Sequence, residues 1–228
     1  MQLKLVTYNI HRCIGTDRRH DPERVNRVLQ EIRPDIVALQ EVEYIRTLDE
    51  LGFMRQNPGF HKVLGPTMSL KKSRYGNALM TRYPVVAERK INLSYPGQEK
   101  RGAIDVDIKC QGRVIRVIAT HLGLAPIERR KQTKKLLAVI DNPLTSQPVT
   151  ILMGDMNEWF LWGRPLRWIH GYFGRSREIA TFPARWPLFA LDRIWVHPAG
   201  SMHQVARHSS RLAAVASDHL PLTAIVIL

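Results

Sequence analysis

Six apolar runs in this chain stop on residues able to bind a cation or move a proton. VTYNIH ends in Asn9 and His11, and VALQEV carries Gln40 and Glu41. VIATHLG carries His121, and TILMGDMN ends in Asp155 and Asn157. FALDRIWV carries Asp192, and ASDHLPL carries Asp218 beside His219. Taken singly, an Asn or Asp at the end of such a run is an ordinary turn residue, and a lone histidine is more often a hydrogen-bonded structural one. Six together suggest a shared site, because a rigid sheet commonly positions catalytic groups at its strand ends. Carboxylate and amide oxygens suit a hard divalent cation. An imidazole beside a carboxylate suits proton transfer near neutral pH. No His/Cys cluster has the spacing of a zinc site.

The elements that must hold these residues follow from periodicity. Leu3 to Asn9, Asp35 to Gln40, His61 to Leu64, Gly76 to Met80, Val85 to Leu93, Ala103 to Cys110 and Val114 to Thr120 are expected as strands. So are Val149 to Met153, Leu191 to Val196, His203 to Arg207 and Leu222 to Ile227. Asp21-Pro22 is a good helix start, with Val25, Val28, Leu29 and Ile32 on one face and Pro34 after the end. A second helix is expected from Pro126 to Ile140, and a short one from Leu161 to Ile169 within an otherwise irregular stretch. Strands dominate, with helices between some of them. This predicts an α/β fold in which two sheets pack face to face with helices outside, rather than a doubly wound parallel sheet.

The length of 228 residues fits a single domain, 1–228, with a full hydrophobic core. Lys and Arg number 34 against 20 Asp and Glu, a net charge of +14, which favours polyanions as partners: nucleic acid, anionic lipid surfaces or polyphosphates. Cys13 and Cys110 are too few for a disulfide framework and read as buried thiols in a reducing compartment. No run reaches the 18 or so apolar residues of a membrane helix, and no signal peptide is visible. A cytoplasmic location is the expectation, and no protein partner is implied.

The ordered set TYNIH, LQEV, RYGNALMTRYP, THLG, GDMN, LDRIWV and SDHLPL resembles the endonuclease/exonuclease/phosphatase superfamily, from Thr7 to Leu222. The resemblance implies a four-layer α/β sandwich of two packed mixed β-sheets flanked by helices, with the site at one end of the sheets. It implies that Glu41 is the principal metal-binding carboxylate, with Asn9 and Asp218 near the metal. Asp155 and Asn157 match an Asp-x-Asn pair, Asp192 and His219 a buried dyad, and His121 a phosphate-facing histidine. Arg101, in EKRGAIDVDI, resembles an arginine near the site that could contact substrate phosphate. Mg²⁺ is the implied cofactor, with Mn²⁺ able to substitute.

The chemistry demanded of these types is clear. Attack on a phosphodiester builds charge on its non-bridging oxygens, which a hard cation offsets. It also needs a water deprotonated by either His219, held by Asp192, or Asp155; the sequence leaves both open. Asn157 and His121 could donate hydrogen bonds to the phosphate. Two departures matter. Pancreatic-type deoxyribonucleases place a carboxylate where RYGNALM has Asn77, so His121 lacks that partner and its role as an acid is weakened. Inositol 5-phosphatases carry residues after GDxN and around LDR that this chain lacks.

Three features bear on substrate. The basic run IERRKQTKKLL places Arg130, Lys131, Lys134 and Lys135 on a helix, as a phosphate-tracking surface or merely a solvated face. Arg101 is the second. The third is the stretch Trp159 to Trp186, where aromatic residues alternate with arginines, suited to base stacking or to an anionic membrane surface. The leading expectation is a DNA endonuclease or exonuclease of low sequence specificity, with Arg101 and Asn77 as substrate-binding residues. The alternatives are a sphingomyelinase-like phospholipid phosphodiesterase and an inactive nucleic-acid-binding domain.

Overall fold

Odd-numbered residues of the first strand, β1 (Gln2–Asn9), face the centre of the molecule, where Leu3 and Leu5 enter the main core, while Val6 and Tyr8 point the other way into a second core. This is the two-residue period of a strand buried on both faces. The computed structural model describes residues 1–45, 59–69 and 73–228. Ten more strands occur among them: β2 (Ile36–Ile45), β3 (His61–Ser69), β4 (Ser73–Thr81), β5 (Val85–Asn92), β6 (Gly102–Cys110), β7 (Arg113–His121), β8 (Thr150–Asp155), β9 (Asp192–His197), β10 (Met202–Arg207) and β11 (Leu222–Ile227). The described residues also form the α-helices α1 (Pro22–Ile32), α2 (Pro126–Ile140), α3 (Arg164–Phe173) and the single turn α4 (Ala213–Ala216).

The strands form two mixed sheets, one ordered β10-β11-β1-β2-β4-β3 and the other β5-β6-β7-β8-β9. β1 pairs with β2, and β7 with β8, in parallel; the remaining pairs are antiparallel. The inner faces meet through Leu3, Leu5, Ile36, Ala38, Val117, Ala119, Ile151, Met153 and Ile194. α1 and α4 cover the outer face of the first sheet, and α2 and α3 that of the second. The chain is thus a four-layer α/β sandwich, as the resemblance implies.

Local chemistry explains the helix ends. The Asp21 side chain accepts the Arg24 N–H and Pro22 occupies the first turn, so α1 starts where the sequence predicts. The third helix differs from expectation. It begins at Arg164, not Leu161, because Pro165 lacks an N–H and is tolerated only in a first turn, which leaves Leu161 and Trp162 in the preceding loop. The far end of α2 is tied to its sheet by Arg116, whose guanidinium donates to the carbonyls of Val139 and Ile140 and to both oxygens of the buried Asp105. Cys13 and Cys110 are free and buried.

Candidate active site

The inward-facing row of each central strand is apolar along most of its length and turns polar at one shared edge. Leu3 and Leu5 lead to Thr7 and Asn9 on β1. Ile115, Val117 and Ala119 lead to His121 on β7, and Ile151 and Met153 to Asp155 on β8. On the antiparallel β9, Asp192 precedes Ile194 and Val196. The site is therefore the place where the inter-sheet core stops.

Two backbone features aim the side chains. On β2 the pairing with β4 passes from Leu39↔Ala78 to Val42↔Gly76, so that Gln40 and Glu41 stand opposite one residue, Asn77. That bulge, with Glu41 at φ 58, re-aims the Glu41 carboxylate. On β8, Gly154 lies so close to β7 that a Cβ there would sit 1.9 Å from the Thr120 carbonyl oxygen. The tight fit holds Asp155 against His121.

Asn9 joins the two sheets. Its Oδ1 accepts the His11 N–H at 3.0 Å, which fixes the amide's orientation. Its Nδ2 then donates to Glu41 Oε1 at 3.1 Å and to Asp155 Oδ2 at 3.0 Å. Asp155 also accepts the Asn157 N–H on Oδ1 at 2.9 Å, and its Oδ2 lies 3.5 Å from His121 Nε2 and 3.8 Å from His219 Nε2. Behind His219, Asp192 Oδ2 accepts from Nδ1 at 2.8 Å and from the Thr181 hydroxyl at 2.6 Å. Burial opposes a charge on His219, but the charge and hydrogen bond of Asp192, with Asp155 and Asp218, outweigh it and push its pKa up to about 10.

His121 is the opposite case. Burial first, then the neighbouring Arg101 cation, push its pKa down to about 3, so it is neutral. Arg101 Nη1 faces Nδ1 at 3.3 Å, and a guanidinium can only donate. Asn157 Nδ2, which also only donates, faces Nε2 at 3.0 Å, so the neutral ring accepts from one of these two donors and carries its proton on the other nitrogen. Asn157 Nδ2 also donates to the Leu122 carbonyl at 2.9 Å, which holds the amide beside His121.

These groups line a cleft of about 280 Å³. Asn9, Glu41, Arg101, His121, Asp155, Asn157 and His219 face it, with Asp192 directly behind. Besides Asp192, two expected residues do not line it. Asn77 is buried and donates to the Gly102 carbonyl at 2.9 Å, bracing the strand next to Arg101. Asp218 is partly exposed, accepts from Ser217 Oγ and lies 3.8 Å from His11 Nδ1, on the outer side of the dyad. Sequence reasoning missed Tyr75, which lies on the same alternating row as Asn77 and Leu79 and whose phenol is raised above its ordinary pKa by burial and by Glu41. It also missed Glu99, whose carboxylate holds Arg101 at 3.1 and 3.2 Å, and Thr181. Leu124, Trp159, Phe182 and Leu191 make one wall apolar.

The fold and the site together define an α/β sandwich whose acids, amides and imidazoles converge at one edge of two sheets. The match to the Endonuclease/Exonuclease/phosphatase family runs from residue 6 to residue 219, and the chain belongs to that family. The uncharacterized protein YbhP of Escherichia coli (strain K12) is 30% identical over 241 residues, covering 97% of this chain and 94% of its own. Among solved structures, the endonuclease/exonuclease/phosphatase of Bacteroides vulgatus aligns with a TM-score of 0.80 at 19% identity, covering 100% of this chain and 99% of that one. The human Nocturnin catalytic domain, with a bound sulfate anion, aligns with a TM-score of 0.75 at 19% identity, covering 98% of this chain and 93% of that one. At such identities the structural likeness shows the fold.

Proposed function

We propose that the chain is a divalent-cation-dependent phosphodiesterase. The observation that carries this reading is the Asn9 amide bridging Glu41 and Asp155, one carboxylate from each sheet, beside the His219–Asp192 pair. Two carboxylates brought together across one neutral amide fit a hard cation. Arg101, which also faces the cleft, is already paired with Glu99. Asp155, Asp192 and His219 also offer ligand atoms within 4.8 Å of one another, but Asp192 Oδ2 already serves His219 and Thr181, so the Glu41 side is the better seat. Glu41 would hold the ion, with Asn9 and Asp155 beside it, and Asp218 outside the set. Mg²⁺ is the natural occupant and Mn²⁺ its substitute. When bound, it would offset charge on the phosphate oxygens.

The chain's own residues would do the rest. Asp155 accepts the proton of the attacking water. His219, its ring fixed by Asp192, presents Nε2 to a phosphate oxygen. Arg101 turns its charge towards the same group, while Asn157, held between the Leu122 carbonyl and His121, keeps His121 in place beside it. DNA suits the net charge of +14. A phospholipid diester is the second reading, favoured by the apolar wall of Leu124, Trp159, Phe182 and Leu191.

The test is cleavage of supercoiled plasmid, single-stranded DNA and phospholipid vesicles with Mg²⁺ or Mn²⁺, beside Glu41→Ala and His219→Ala. Hydrolysis that disappears in EDTA and in both variants is expected. Hydrolysis that survives chelation, or that both variants retain, would overturn the proposal.

A further inference from the structure

The apolar wall of the cleft continues onto the surface. Trp159 sits edge-on to Phe182 and Phe189 at centroid distances of 5.8 and 4.7 Å. Those two phenylalanines are the paired base of a tight hairpin, and its tip carries Trp186 and Leu188, 79% and 73% exposed. On the other side of Trp159, Phe160 packs on Trp162, which is 72% exposed. Leu124 also lines the cleft and is 64% exposed, with Ile127 exposed three residues further on. A rim of large apolar side chains left in water around the mouth of a site marks a surface that is covered when the protein works.

Charge identifies what covers it. From Trp159 to Leu191, Glu178 is the sole acidic residue, whereas Arg164, Arg167, Arg175, Arg177 and Arg185 lie in the same stretch. Arg164, Arg167 and Arg185 are exposed beside the rim. Indole rings with arginines suit nucleic acid bases and lipid headgroups alike. Leu124, Ile127, Leu161 and Leu188 decide between them, since aliphatic side chains have no π face to stack on a base but gain by entering hydrocarbon. We propose that this rim docks the protein onto an anionic phospholipid surface, so that the cleft opens towards the bilayer. The proposal rests on the phospholipid form of the phosphodiesterase reading, yet the docking itself is measured without catalysis.

The experiment is co-sedimentation of the full chain with vesicles of phosphatidylcholine alone and of phosphatidylcholine mixed with phosphatidylglycerol, with tryptophan fluorescence recorded alongside. Binding to the anionic vesicles with a blue shift is expected, weakened but not abolished by high salt. Trp162→Ser and Trp186→Ser should each lower the partition coefficient by roughly tenfold, since one buried large side chain contributes about that much. Both residues are exposed, so unchanged melting temperatures are expected and exclude misfolding as the cause. No capture by anionic vesicles would overturn the proposal. So would capture that both variants retain, or variants that weaken binding of a single-stranded oligonucleotide instead. A stable dimer in solution that these substitutions dissolve would equally assign the rim to a second copy of the chain. Loss of hydrolysis with docking intact would fault the phosphodiesterase reading alone.

Discussion

At the scale of single residues, the site depends on side chains held in chains of hydrogen bonds. Asn9 can hold two carboxylates only because His11 N–H occupies its oxygen, and Asp192 orients His219 while Thr181 holds Asp192. Such chains predict non-additive losses. His219→Asn should lower kcat by roughly a hundredfold or more, the usual scale of a positioned proton-transfer or oxyanion-binding group. Asp192→Asn should lower it less, and the double variant should be no slower than His219→Asn alone. Multiplied losses in that cycle would mean the two residues act separately. Glu41→Gln keeps the side chain's shape but removes its charge. It should raise the Mg²⁺ concentration needed for half-maximal activity by roughly tenfold or more, as loss of one charged oxygen ligand does. An unchanged metal titration would move the cation away from Glu41.

At the scale of elements, strand pairing is what brings these residues to one place, and it can be tested away from the chemistry. Gly154→Ala would press a methyl group into the Thr120 carbonyl and push β8 off β7. Both a lower melting temperature and a lower kcat are expected, because Asp155 is the next residue; a variant with full stability and full activity would show that the close contact is slack. The Asp105–Arg116 pair offers a test in pH. Burial raises the Asp105 pKa, but hydrogen bonds from Arg116 and then Arg89 outweigh it, so the pKa is lowered on folding. A carboxyl so depressed stabilises the fold above its unfolded pKa of about 3.9, and that contribution is lost as pH falls through the folded value. Asp105→Asn should therefore cost about 3 kcal/mol near neutral pH, as breaking a buried pair does. The gap between the two proteins in urea unfolding should stay flat down to about pH 5 and narrow below about pH 4. The central strands β1, β7 and β8 were legible in the sequence because both faces are buried and their polar ends break the apolar pattern abruptly. Tyr75 was not, because an aromatic residue in a strand is as good a core residue as a site residue, and only its row on β4 distinguishes it. Glu99 and Arg101 lie between β5 and β6, where no periodicity applies, and the exposure of Trp162 and Trp186 depends on where Pro165 starts α3 and on the hairpin that follows it.

At the scale of the whole molecule, the charge of +14 and the buried site act on different parts of the reaction. Asn9, His121, Asp155 and His219 are buried at the bottom of the cleft, where their interactions with one another are screened little by salt. Lys131, Lys134 and Lys135 on α2, and Arg164 and Arg185 near the rim, are exposed and can attract an anionic substrate only through solvent. Salt should therefore separate capture from chemistry. As ionic strength rises from about 50 to 200 mM, KM for a polyanionic phosphodiester should rise by roughly tenfold or more, because the phosphates' counterions are no longer released into dilute solution. Over the same range kcat should hold, since the bound substrate meets groups already shielded from solvent. Replacing Lys131, Lys134 and Lys135 together by glutamine should flatten the dependence of KM on salt without changing kcat at saturation. If KM in the triple variant keeps its full salt dependence, the α2 face is a solvated surface and capture belongs to the arginines around the cleft.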